Sequence, residues 1–256
     1  MSRINIFVRT KHQEIFNRFL ETFIPTVEGY DTTLYVFHPE GIVVPEVPAI
    51  VSVTSEYLGN TAYIPYLRTI LTSAGKEIWK DPGIYFGIFN DDLVFGEGWL
   101  EDVISRLEKY GCVTPGFVNT TDMDVFKKAV EKTKNEEGVI DYFMGACQLM
   151  KIGVFLKIGM LDPQFDWSMD DFDMLWRMEL NGVKTVTLKK VSIAHAHGSS
   201  RMTELKRWYA AAEDGKQKFV DKHGAIALKT IRETYKAHKY FTEIRRSIED
   251  EKKWWI

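Results

Sequence analysis

Two cysteines in 256 residues are too few to staple a secreted fold. Cys112 and Cys147 sit in apolar stretches without metal-type spacing and read as small core residues in a reducing compartment. No apolar run is long enough to cross a bilayer, and Met1-Ser-Arg-Ile-Asn-Ile-Phe-Val8 enters a strand pattern with no signal-peptide apolar region. The expected location is the cytoplasm. There is no Gly-rich P-loop ending in Lys-Ser/Thr, no Gly-x-Gly-x-x-Gly, no Gly-x-Ser-x-Gly and no Cys-x-x-Cys. The missing N-terminal phosphate loop argues against a sugar nucleotidyltransferase. Internal repeats, low-complexity segments and Gly/Ser linkers are also lacking. A net charge of only −3 gives no overall bias toward nucleic acid or anionic membrane.

What is present is ordinary globular composition, 45% apolar and 27% charged, enough for a packed core. Strand-like runs at 4–8, 34–37, 50–53 and 84–89 alternate with helical periodicity at 15–24, 62–74 and 99–107. Pro25 is expected to close the first helix. The alternation predicts an α/β fold with a mostly parallel central sheet flanked by helices. The second half predicts a polar loop over 117–140 with one short helix near 125–130. Strand-like runs at 112–114, 143–150 and 183–194 and a helix over 170–180 complete it. Residues 203–256 carry helical patterning, and from Arg201 to Ile256 there are 14 Lys/Arg against 9 Asp/Glu. The simplest division is a catalytic domain over 1–200 and a helical C-terminal extension over 201–256.

Three constellations carry chemistry. Asn90-Asp91-Asp92 follows the continuous apolar run Ile84–Phe89, the mark of a strand buried on both faces. Ligands bind beyond the carboxyl ends of such strands, and hard oxygen ligands suit Mg2+ or Mn2+. An acidic turn is the plain structural alternative. Trp167-Ser-Met-Asp-Asp-Phe-Asp173 clusters three acids at a helix start. Ser168 with Asp171 fits a capping box, while a general base at a pocket rim is the functional reading. Ala194-His-Ala-His-Gly-Ser-Ser200 ends a strand, so His195 and His197 share a face and either is a plausible further ligand for a divalent ion.

In order, these pieces resemble an inverting glycosyltransferase of family 2, with the GT-A fold. The resemblance covers roughly residues 3–200. It rests on Asn90-Asp91-Asp92, on Gly145-Ala-Cys-Gln-Leu-Met-Lys-Ile-Gly-Val-Phe-Leu-Lys-Ile-Gly-Met-Leu-Asp-Pro-Gln-Phe165, on Asp170-Asp171-Phe172-Asp173 with Arg177, and on His197-Gly-Ser-Ser200. Asn90 stands where the family has Asp, and Asp170 where it has Glu. The loop 117–140 and the stretch after 200 match nothing in it.

The resemblance implies a nucleotide-diphosphate-sugar donor and a Mn2+ or Mg2+ cofactor. It implies that Arg9 and Thr10 line the nucleoside pocket, with Gly59 of the Leu58-Gly59-Asn60 turn near the base or ribose. Asp91 would contact ribose or sugar, and Asp92 would bind the metal with His197, or with His195 as competitor for that role. Asp171 would be the general base for a hexosyl or pentosyl transfer. The acceptor stays open between a glycan, a lipid-linked glycan and nucleic acid. Two rival readings stand beside this one. One is a non-catalytic nucleotide-sugar-binding module. The other gives the basic tail, with Trp208, Trp254 and Trp255, to nucleic acid or an anionic membrane.

Overall fold

Strand β1 (Arg3–Arg9) sets the frame. Ile4, Ile6 and Val8 enter the core on one face of the sheet and Phe7 enters the core on the other, the two-residue alternation of a strand. All four are fully buried, so helices must cover both faces. The computed structural model describes residues 3–56, 63, 83–142, 144–165, 168–196, 205–234 and 238–253, with backbone alone at 205–209, 234, 238, 239 and 250–253. The sequence-expected helix over 62–74, apart from Tyr63, lies outside the described residues, as do the side chains of Trp208, Trp254 and Trp255.

β1 pairs in parallel with β2 (Asp31–His38) and β4 (Ile84–Asn90), and β2 in parallel with β3 (Ile50–Thr54). β8 (Cys147–Lys151) runs antiparallel to β4 and to β6 (Cys112–Asn119). β6 is parallel to β9 (Thr185–His195), and the short β5 (Leu93–Phe95) and β7 (Val139–Ile140) are antiparallel to β9. The order is β3-β2-β1-β4-β8-β6-β9-β5, with β7 beside β9. The parallel expectation thus describes the β3-β2-β1-β4 side, and the other side is mixed. An apolar run buried on both faces packs equally well in either direction, so its residues do not carry its orientation; the connections do.

One face is covered by α1 (Gln13–Thr26), α2 (Trp99–Leu107), α3 (Met123–Thr133) and α8 (His238–Lys253). The other is covered by α4 (Ile152–Lys157), α5 (Asp170–Leu180), α6 (Leu205–His223) and α7 (Ala225–Thr234). α1 buries Phe16, Phe19, Leu20 and Phe23 at helical spacing. It runs one residue past Pro25 rather than stopping there. A missing N–H in the last turn removes one bond and leaves the earlier ones intact. The expected polar loop over 117–140 instead begins with buried Phe117 and Val118 of β6, then holds α3 and β7. Asp122 caps α3, its Oδ1 accepting from Asp124 N at 2.8 Å and Val125 N at 3.4 Å. The C-terminal helices reach both cores: Phe219, Leu228 and Ile231 enter one, and Phe241, Ile244 and Ile248 the other. Among the described residues no helix is long and apolar enough to cross a membrane.

Candidate active site

Asp91 and Asp92 alone carry the chain from β4 to β5, although β8, β6 and β9 lie between those strands in pairing order. Four strand spacings amount to about 19 Å, whereas three residue steps reach at most about 11 Å. The C-terminal end of β9 must therefore curl back toward the end of β4. Contacts agree: Ala196 N donates to Asp92 O at 2.9 Å, and Leu93 pairs with His195. Both carboxylates are buried, Asp91 at 7% and Asp92 at 6% exposure.

Such a pair has electrostatic consequences. Burial raises the Asp91 carboxyl against a hydrogen bond from Thr10; the Asp92 charge raises it further, Arg9 opposes, and it rests at about 7. Arg9 and Thr10 close β1, where Arg9 is in register with Asn90 and Thr10 N donates to Phe37 O at 2.9 Å. The Arg9 guanidinium stands 5.6 Å from the ring centre of Tyr63, which is buried against Phe7 and Phe37. Burial foremost holds the Tyr63 phenol far above its ordinary range; Arg9 opposes this, and the charges of Asp170 and Asp91 add to it. Tyr63 therefore feels charges from both acidic clusters.

His195 closes β9 with its Nε2 3.3 Å from Asp92 Oδ1 and its Nδ1 3.2 Å from Asn119 Oδ1. Asn119 is its partner in register on β6. A ring nitrogen donating to Asn119 turns the other toward Asp92, the arrangement that orients a metal-binding imidazole. Two ligands of one small divalent ion at right angles stand about 3.0 Å apart, so the donor set suits such an ion. Among the described residues no three His, Cys, Asp or Glu side chains form a metal cluster. Mg2+-like ions are commonly held by one or two carboxylates plus substrate phosphates, so a small protein donor set fits that chemistry. His197 and Gly59 lie outside the described residues.

The second acidic cluster reaches the same sheet edge through β8. Asn90 N donates to Ala146 O at 2.8 Å, and Phe89 pairs with Cys147. On the neighbouring Gly145 any side chain would overlap the Asp171 carboxylate. Gly145 is thus glycine because Asp171 occupies the space of its missing side chain. Asp171 also adds to the burial that pushes the nearby Tyr142 phenol up to about 12. The expected capping box is absent. α5 begins at Asp170, its N-cap is Met169 at φ 65°, and no side chain caps it. A left-handed methionine, strained for a residue with a Cβ, turns the chain so that Asp170, Asp171 and Asp173 fall in the first turn, where the helix dipole favours them.

Asp173 has a different task. It is fully buried, accepts from Arg177 Nε at 2.8 Å, and meets Lys222 Nζ at 2.7 Å and His223 Nε2 at 2.8 Å. Arg177 Nη1 in turn donates to Ile158 O. Burial alone would raise the Asp173 carboxyl; His223, Lys222 and Arg177 outweigh it and hold it below the usual carboxylate range. Asp173→Ala should therefore cost about 3–5 kcal/mol in a denaturant titration, because it removes the buried carboxylate that Arg177, Lys222 and His223 share. A depressed folded-state value gives stability that is present above about pH 4 and lost as the pH falls through it. In acid melts Asp173→Asn should lose less stability than the parent does over that window. Tyr63, Asn119, Lys222 and His223 had no motif to mark them, since their roles arise only from contacts distant in sequence; Gly145 opened a matched stretch, but nothing in that stretch tied it to Asp171.

No protein-family model and no curated protein matches the sequence. Among solved structures, the chain is similar to the mannosyltransferase PcManGT from Pyrobaculum calidifontis in complex with GDP-Man and Mn2+. The TM-score is 0.55 and the identity 16%, over 96% of this chain and 74% of that one. It is also similar to GalNAc-T7 with UDP, GalNAc and Mn2+, with TM-score 0.54 and 14% identity over 98% of this chain. It spans 58% of that neighbour's length. The curled sheet, the acidic turn after β4 and these two superpositions together identify the fold as GT-A.

Proposed function

We propose that this chain is a glycosyltransferase that moves a sugar from a nucleotide-diphosphate-sugar to an acceptor hydroxyl with inversion. The observation that carries the proposal is the meeting of two acidic clusters on one sheet edge. Asp91 and Asp92 leave β4, and Asp171 lies against Gly145, next to the residue that hydrogen-bonds Asn90.

Asp92 and His195 would hold a divalent cation, with His197 as the other candidate imidazole. That ion supplies Lewis-acid neutralisation of the departing nucleotide diphosphate. Arg9 and Thr10, at the end of β1, would bind the nucleoside, with Gly59 assigned there by resemblance. Asp91, buried against Thr10, accepts hydrogen bonds from the ribose or sugar. Asp171 takes the proton from the acceptor hydroxyl as its oxygen bonds to the anomeric carbon from the face opposite the leaving diphosphate. One in-line displacement of this kind inverts the centre, through an oxocarbenium-like transition state of the type used in glycoside hydrolysis.

The test is a thermal-shift panel of UDP, GDP, CDP and dTDP, each with and without Mn2+. It is paired with nucleoside-diphosphate release from GDP-mannose and UDP-N-acetylgalactosamine. One nucleotide at about a hundred times its Kd should add about 2.7 kcal/mol of stability only when Mn2+ is present. A Mn2+-dependent shift without nucleotide release would favour the non-catalytic binding module. No shift with any nucleotide would refute the donor class.

A further inference from the structure

One face of α6 contacts Asp162, Phe165, Ser168 and Met169, which precede α5. Gly215, Phe219 and Lys222 are spaced by four and three residues and so share that face. A Cβ added to the buried Gly215 would stand 2.9 Å from Ser168 O and 3.3 Å from Met169 Cγ, so the helix backbone lies directly on the left-handed turn. The Phe219 ring lies 6.3 Å from that of Phe165. Lys222 Nζ reaches Asp162 at 2.5 Å and Asp173 at 2.7 Å and sits 5.3 Å from the Phe165 ring. His223 adds its contact to Asp173 at 2.8 Å.

Asp171 and Asp173 are two residues apart and so point about 200° apart around α5. Asp171 presses on Gly145 at the sheet edge, and Asp173 is gripped by α6 on the other side. The first turn of α5 is thus held between the sheet and α6. A left-handed Met169 persists only where its surroundings over-determine it, and Gly215 leaves the room for it.

We propose that α6 positions the Asp171 carboxylate. Lys222 and His223 act through Asp173, and Gly215 acts through Ser168 and Met169, to set the angle at which Asp171 meets Gly145. They are positioning residues that need not touch substrate. The proposal rests on the reading of Asp171 as the base, so Asp171→Asn is run alongside.

The experiment uses the full chain with Mn2+ and GDP-mannose or UDP-N-acetylgalactosamine. It compares Lys222→Met, Lys222→Arg, His223→Gln and Gly215→Ala by kcat, donor KM and residue-resolved amide hydrogen exchange. Lys222→Met and Gly215→Ala should each lower kcat by about 10- to 100-fold with donor KM within about twofold, as expected of a misplaced reacting group. Lys222→Arg, which keeps the charge and the reach, should recover most of the rate. The amides of Phe172 and Asp173 should exchange at least about tenfold faster in Lys222→Met while the last turn of α5 keeps its protection. That local readout needs no turnover, and Gly215→Ala carries the kinetic test should Lys222→Met not fold.

Normal kcat in both variants, or loss of protection spread evenly along α5, would reduce the α6 contact to packing. If Asp171→Asn kept normal release, the base reading would fall. If it were inactive while the α6 variants turned over normally, the positioning proposal alone would fall.

Discussion

Asp171→Asn should keep Mn2+-dependent nucleotide binding and lose about 10²- to 10⁴-fold in turnover, the usual contribution of a positioned general base. The substitution is nearly isosteric. Asn retains an oxygen that can accept from Phe172 N, as Asp171 Oδ1 does at 2.9 Å, and it fits above Gly145. What it lacks is a carboxylate that accepts a proton. The loss should therefore appear in kcat with donor KM little changed, the pattern of an interaction used mainly in the transition state. Gly145→Ala is the geometric companion. Its methyl would overlap the carboxylate, so it should depress kcat while keeping the acid in place chemically. Near-normal rates in Asp171→Asn would remove Asp171 as the base.

Asp92→Ala should fail one step earlier, at donor binding. Removing groups that merely orient a metal ligand costs about 10–100-fold in metal affinity, so removing the ligand should cost at least that. The Mn2+-dependent part of the nucleotide thermal shift should vanish, and isothermal titration of Mn2+ with nucleotide would measure the loss. The apo protein should not become less stable to match. Asp91 and Asp92 are adjacent buried carboxylates whose charges repel, and Asp92→Ala relieves that repulsion. Lost binding without lost stability distinguishes a ligand from a structural acid. Asp173→Ala should show the reverse: a large stability loss from a residue that faces α6. An Asp92→Ala protein that still bound nucleotide more tightly with Mn2+ would remove Asp92 from the cation site.

The three acids at the start of α5 show where sequence reading stops. Their clustering at a helix start was visible, and so was the helix dipole that tolerates them. Their division of labour was not, because Asp171 is assigned by Gly145 and Asp173 by Lys222 and His223. The capping box over Ser168 and Asp171 was legible and absent. A left-handed Met169 opens the helix there, held by contacts with α6. Likewise His195 stands out from its strand-end position, but its pairing with Asp92 depends on β9 curling back to β4.

By itself the sequence determined the local facts. Apolar runs made buried strands, helical periodicity covered both faces, and carboxylates followed the run at 84–89. These follow from burial and backbone chemistry, which act over a few residues. Tertiary structure decided strand direction in the second half, the approach of Asp171 to the edge occupied by Asp92, and the grip of α6 on α5. Those depend on chain connection and close packing between segments far apart in the sequence, where no local free energy distinguishes the alternatives.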